Sequence, residues 1–221
     1  MFSKKPLMMK AFEFKTISSS GKDKVNEDYI LCHRLSDNSL VAILADGMGG
    51  LSYGAEAARI ASESILATII DKVHECSPEC MLRSAFDVAN AAIQKKCRDL
   101  KCKMGAALTV TLIINGSLYC AWQGNVRLYK VANGELLLLT TDHIAPGMES
   151  TFLTRCINGK GYRESIPIIY EELDRGDRIL ICSDGCYQYM DLTELAKHEI
   201  ILPAEKMSDD CSLIEIYVYN A

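Results

Sequence analysis

Apolar and polar residues alternate from Ala11 to Ile17 (Ala-Phe-Glu-Phe-Lys-Thr-Ile), and period two predicts a half-buried strand. Ser18-Ser19-Ser20-Gly21 has turn chemistry, and the charged stretch 22–28 leads into a second strand through Tyr29-Ile30-Leu31-Cys32. Leu40-Val41-Ala42-Ile43-Leu44 does not alternate. A continuous apolar run of that length, ended by glycines, predicts a buried strand that stops abruptly, here at Asp46-Gly47-Met48-Gly49-Gly50. Residues 53–73 then take helical spacing, with Ala57, Ala58, Ile60, Ala61, Ile65, Leu66 and Ile69 on one broad face. Ser77-Pro78 starts a second helix as N-cap and first position, and it runs to about Lys101 with Met81, Leu82, Ala85, Phe86, Val88, Ala89 and Ile93 inward.

Beyond Gly105 the period returns to two. Residues 108–114 and 117–122 flank Asn115-Gly116, a strong hairpin signal, and residues 126–131 and 136–139 flank a second turn. Strands in series with short turns predict an antiparallel meander. Residues 165–171 and 178–183 predict two more strands, the second ending in Ser183-Asp184-Gly185. A short helix over 191–199 and a last strand over 213–219 follow. Neither repeat nor linker interrupts 1–221, which is expected to form one domain with residues 1–10 flexible.

Four acidic positions share a local context. Glu27/Asp28 and Asp209/Asp210 stand where strands begin, Asp46 and Asp184 where strands end. Each has a plain reading, a turn cap or a solvated charge. Gathered at one sheet edge they would repel unless cations sat among them, and hard divalent cations prefer such oxygen ligands. The chemistry implied is metal-assisted hydrolysis, most naturally of a phosphoester.

Composition narrows the partners. Hydrophobic residues at 49% suit one sizeable core in 221 residues, and a net charge of −5 gives no electrostatic case for nucleic acid or an anionic membrane. No apolar run reaches transmembrane length, and the N-terminus lacks a signal peptide's apolar region. Ten cysteines without a disulfide framework point to reduced, mostly buried thiols in a cytoplasmic protein. Cys76, Cys80, Cys97 and Cys102, with His74 nearby, fit no common zinc spacing.

The ordered set Asn26-Glu27-Asp28, Asp46-Gly47-Met48-Gly49-Gly50, Met104-Gly105, Gly124-Asn125-Val126-Arg127, Thr141-Asp142-His143, Thr154-Arg155, residues 176–185 and Asp209-Asp210-Cys211-Ser212 resembles the metal-dependent protein serine/threonine phosphatases of type 2C (the PPM family), in a compact bacterial-type form with a reduced flap. The resemblance implies an α+β fold, a four-layer α-β-β-α sandwich with two central antiparallel sheets. It implies two Mn²⁺ or Mg²⁺ ions per chain and a phosphorylated protein as substrate, the product of a serine/threonine kinase. Carried over, Asp46 bridges the metals and Gly47 ligates through its carbonyl. Asp184 and Asp209 hold the first metal and Glu27 the second, while Asp28 holds metal-bound water. A bridging hydroxide is the implied nucleophile. Ser212 fixes the count that prefers Asp209 over Asp210.

Three departures qualify this expectation. Asp23 stands where the family has a phosphate-gripping arginine, leaving Lys22 or Lys24 to substitute as point charges. Asn125 replaces an aspartate that helps bind a third metal, so a third ion is expected to bind only weakly. The flap after His143 is nearly absent. The alternative from another class is a catalytically weak or inactive phosphatase-like module that binds a phosphoprotein.

Overall fold

A computed structural model describes residues 10–147, 152–197 and 207–220. The expected flexibility of residues 1–10 falls almost wholly outside this range, as do His198 and Glu199 of the expected short helix. In chain order the strands are β1 (Lys10–Ser19), β2 (Asp28–Ser36), β3 (Ser39–Gly47), β4 (Ala106–Ile114), β5 (Ser117–Gln123), β6 (Arg127–Ala132), β7 (Glu135–Leu138), β8 (Ile168–Glu172), β9 (Arg178–Cys182) and β10 (Cys211–Asn220). Helices α1 (Gly54–Lys72) and α2 (Pro78–Leu100) follow β3, and α3 (Asp184–Tyr189) and α4 (Leu192–Lys197) follow β9.

Two five-stranded antiparallel sheets form, in the orders β1-β10-β9-β6-β7 and β2-β3-β4-β5-β8. This is the sandwich expected from the sequence. β3 explains its own composition. Leu40, Ala42 and Leu44 pack between the sheets, while Val41, Ile43 and Ala45 pack against α1 and α2. Both faces are buried, so the strand reads as an unbroken apolar run. Three of the alanines of α1, Ala57, Ala58 and Ala61, are fully buried and let the helix lie close to the sheet. Ser77 caps α2 by accepting from the Cys80 N–H at 3.3 Å, with Pro78 at its first position.

The meander is corrected. β4 and β5 pair in one sheet and β6 and β7 in the other, so the chain changes sheets between Gln123 and Arg127. Gly124 makes that crossing at φ +106°, and a Cβ there would fall 2.4 Å from the Ala107 side chain. Turn chemistry reports that two strands are joined tightly, not which sheet each one enters. One smaller expectation also changes, and one element is additional to those expected. Val88 is 46% exposed, on the outer face of α2. Helix α3, only six residues long, is too short to register as a period.

The cysteines make no disulfide among the described residues. Four are buried, five intermediate and one exposed, so fewer are buried than expected. Cys76 contacts Cys80 and Cys97 contacts Cys102. These pairs stand towards opposite ends of α2; even Cys80 and Cys97 are about 26 Å apart at 1.5 Å per residue, too far to share one zinc ion. Cys186 and Cys211 each lie 3.7 Å from the Met190 sulfur on the outer face of the sheet. The Cys182 contact and burial push the Cys186 thiol up against the opposing Cys211 contact, and the Cys186 contact and burial push Cys211 up, both away from reactivity.

Candidate active site

Strand parity decides where each carboxylate goes. Asp46 follows Leu44 by two residues on β3, so it shares the inter-sheet face and emerges where the sandwich core ends. Asp28 is its partner across the β2–β3 ladder. Its neighbour Glu27 lies just outside β2, on the side of α1. There its carboxylate accepts the Ala55 N–H and sits against Gly54 and Gly49. The two adjacent acids therefore serve one site from different sides, as a strand start permits.

Asp184 begins α3 directly after β9, and Asp209 precedes β10, the strand paired with β9. Together Lys24, Glu27, Asp46, Gly47, Asp184 and Asp209 line a cleft of about 390 Å³, with Met48, Asn125 and Phe152 among its other walls. All the predicted metal-site side chains meet here except Asp28, which lies beneath. Asp210 is buried and already occupied. It accepts the Gly21 N–H at 2.7 Å and the Glu27 N–H at 2.9 Å, tying the β1–β2 turn to the segment that carries Asp209 into β10. Of the two lysines, only Lys24 faces the cleft. Its ammonium pairs with Asp209 and lies 3.3 Å from Asp210. Burial lowers its pKa, but contact with Asp209 and Asp210 outweighs this and raises it. Lys22 is exposed, and Asp23 occupies the tip of this turn at φ +57°.

The acids crowd one another. Burial pushes Asp28 up to about 7; the Ser212 and Ser183 hydroxyls pull it back, and Asp210 and Asp184 push it further. Neither of its carboxyl oxygens makes a hydrogen bond of ordinary geometry. Asp46 is raised well above the usual carboxylate range by burial and by the charges of Asp28, Asp184 and Asp209. Burial likewise raises Asp184, against the Asp46 contact and the Asn125 amide, which donates to it at 3.1 Å. Among the described residues, no three His, Cys, Asp or Glu side chains already converge closely enough to hold a metal. Lys24 rests on Asp209, and Asp46 shares a hydrogen bond with Asp184. The donor set nevertheless fits hard divalent cations. It is all oxygen, anionic and mutually repelling, with a further buried carboxyl, Asp28, beneath it.

The other motif residues build the wall. Arg127 holds Asp142 through Nε at 3.0 and 3.1 Å and Nη2 at 2.7 Å, and stacks 3.7 Å over the Tyr187 ring. The Tyr187 hydroxyl donates to the Asn125 carbonyl at 3.1 Å, which fixes the loop that presents Asn125. The shortened connection after His143 is pinned by an Ile144–Leu153 bridge.

His143 is structural. Its Nδ1 accepts the Gly124 N–H at 3.1 Å, and its ring stacks on Trp122, 6.0 Å between centroids. Burial, then the Arg155 charge, lowers its pKa to about 4 against the pull of Asp142. A histidine held neutral gives stability that is full above its ordinary pKa of 6.5 and lost as pH falls through about 4. Thermal melts at pH 7 and pH 5 should therefore differ less in His143→Gln than in wild type. Equal differences would show that the ring protonates freely when folded.

The profile of the family described as Protein phosphatase 2C matches residues 18–210. The chain belongs to this family. The protein phosphatase 2C assignment agrees with the enzyme class expected from the motifs. Solved structures agree in fold. The catalytic domain of the serine threonine protein phosphatase PstP, in complex with two manganese ions, is 21% identical at TM-score 0.77, covering 96% of this chain and 100% of that one. The serine/threonine phosphatase Stp1 of Staphylococcus aureus is 18% identical at TM-score 0.80, with 98% and 99% covered. The phosphatase MsPP of Mycobacterium smegmatis, in complex with cacodylate, is 20% identical at TM-score 0.76, with 93% and 97% covered. No helix among the described residues is long and apolar enough to cross a membrane.

Proposed function

We propose that this protein phosphatase 2C member hydrolyses phosphoserine and phosphothreonine in proteins, with two Mn²⁺ or Mg²⁺ ions as cofactors. The observation that carries the reading is the meeting of Glu27, Asp46, Asp184 and Asp209 around one cleft, above the buried Asp28. Asp184 and Asp209 would hold one ion and Glu27 the other, with Asp46 shared between them and the Gly47 carbonyl as a further ligand. When bound, such ions supply Lewis acidity and a water acidic enough to attack phosphorus at neutral pH.

The chain's own groups do the rest. Asn125 orients Asp184 through its amide, and Asp210 fixes the backbone that presents Glu27. Asn125 is neutral, which argues against a tightly held third ion. Lys24 offers phosphate a point charge at the cleft wall. Met48, also on the wall, has no proton to give, so the leaving serine or threonine oxygen takes its proton from solvent. Ten free cysteines suit a reducing compartment such as the cytoplasm, where serine/threonine kinases would supply the substrate.

The purified protein should cleave a phenyl phosphate ester and a phosphothreonine peptide only with added manganese or magnesium. Metal-loaded protein that binds the phosphopeptide without turnover would instead establish a phosphoprotein-binding module.

A further inference from the structure

Six carboxyl groups gather at this end of the sandwich: Glu27, Asp28, Asp46, Asp184, Asp209 and Asp210. Among the described residues lining the cleft, Lys24 carries the only cationic side chain. Its stem lies over Gly21, where a Cβ would come 2.7 Å from the lysine Cε. Its ammonium reaches both Asp209 and Asp210. Asp210 is committed to two backbone N–H groups and is buried, whereas Asp209 is 39% exposed and Lys24 36%. The Lys24–Asp209 contact is therefore the exchangeable one.

Resting on the two-ion reading above, we propose that Lys24 is a resident counter-cation that competes with a divalent ion for Asp209, and that arrival of the ion frees the ammonium for the substrate's phosphate. Two cations cannot both take the same carboxylate oxygen at contact distance without repelling each other. A divalent ion prevails by its higher charge, but its affinity is reduced by the work of displacing the lysine. The displaced ammonium stays tethered at the cleft wall, beside the place where a phosphate dianion would sit. Metal and phosphate then assist one another. Metal takes Asp209 from Lys24, phosphate takes Lys24 from Asp209, and the coupling is reciprocal.

Calorimetric titration of the intact protein with Mn²⁺ tests this without any turnover. Lys24→Met should bind Mn²⁺ about three- to fivefold tighter, the upper part of the range of a partly exposed ion pair, while Lys24→Arg stays near wild type. Inorganic phosphate should raise Mn²⁺ affinity by a larger factor in wild type than in Lys24→Met, where only direct contact between phosphate and the ions remains. A lysine that merely supported the turn would weaken metal binding when removed, so Lys24→Met affinity equal to or below wild type overturns the proposal. Asp46→Asn in the same titration separates the two claims. If it removes Mn²⁺ binding while Lys24→Met leaves affinity unchanged, only the role of Lys24 falls. If wild type shows no Mn²⁺ binding that depends on Asp46, the two-ion reading falls and this proposal with it.

Discussion

Asp46→Asn is expected to lose at least about a thousandfold in the rate of manganese-dependent phosphoester hydrolysis while the folded, metal-free protein melts at a higher temperature than wild type. The two halves have one cause. Asp46 stands at the end of a strand buried on both faces, opposite Asp28 and in contact with Asp184. Burial and three neighbouring acids make its charge costly, and an amide of the same shape removes that cost. The charge is kept because it is the group both ions would share. Metal-borne charge stabilisation in a phosphoryl transition state is worth several kcal/mol, and ~4 kcal/mol is about a thousandfold. Asp184→Asn should follow the same pattern with a smaller gain in stability, because Asp184 already receives the Asn125 amide and the Gly185 N–H. Kinetics and melting curves on the same preparations check both halves. Full activity in Asp46→Asn would sink the assignment of this cleft as the reaction centre.

Much of this centre can be read before folding, and the reasons are local. A strand sealed on both faces must be apolar at every position, so β3 announces itself and its terminal aspartate stands out. The Asn115-Gly116 pair takes φ values of 52° and 83°, a conformation few other residue pairs enter so readily. Long-range placement is less legible. Lys22 and Lys24 look equivalent as letters, yet the turn through Asp23 sends only Lys24 into the cleft. Asp209 and Asp210 are adjacent acids, and only the folded β1–β2 turn reveals that Asp210 is consumed by Gly21 and Glu27. The split meander has the same origin. Sequence records that β5 and β6 are joined closely, while the change of sheet depends on the Gly124 backbone passing close against Ala107.

The joint between β3 and α1 yields the sharpest separation of stability from function. Gly47 and Gly54 touch there, and each would respond differently to one added methyl group. A Cβ on Gly47 would stand 2.3 Å from the Gly54 carbonyl carbon, which is backbone. Gly47 is held by its ladder with Ala106 and by its N–H donated to the Glu27 carbonyl at 3.1 Å, while Gly54 is held by the start of α1. Neither side yields cheaply, so Gly47→Ala should destabilise by about 3 kcal/mol, the upper part of the overpacking range. In a chain of this length that lowers the melting temperature by roughly 6–12 °C. A Cβ on Gly54 would instead stand 2.4 Å from the Glu27 carboxylate, the far end of a flexible side chain. Gly54 is the first residue of α1, so alanine's helix preference, about 1 kcal/mol over glycine in a helix interior, is only partly felt there. Gly54→Ala should therefore keep its melting temperature, yet push Glu27 off its seat beside the Ala55 N–H and weaken Mn²⁺ binding at least tenfold. Melting curves paired with manganese titration decide the matter. If Gly54→Ala binds manganese as wild type does, Glu27 has no part in holding the second ion.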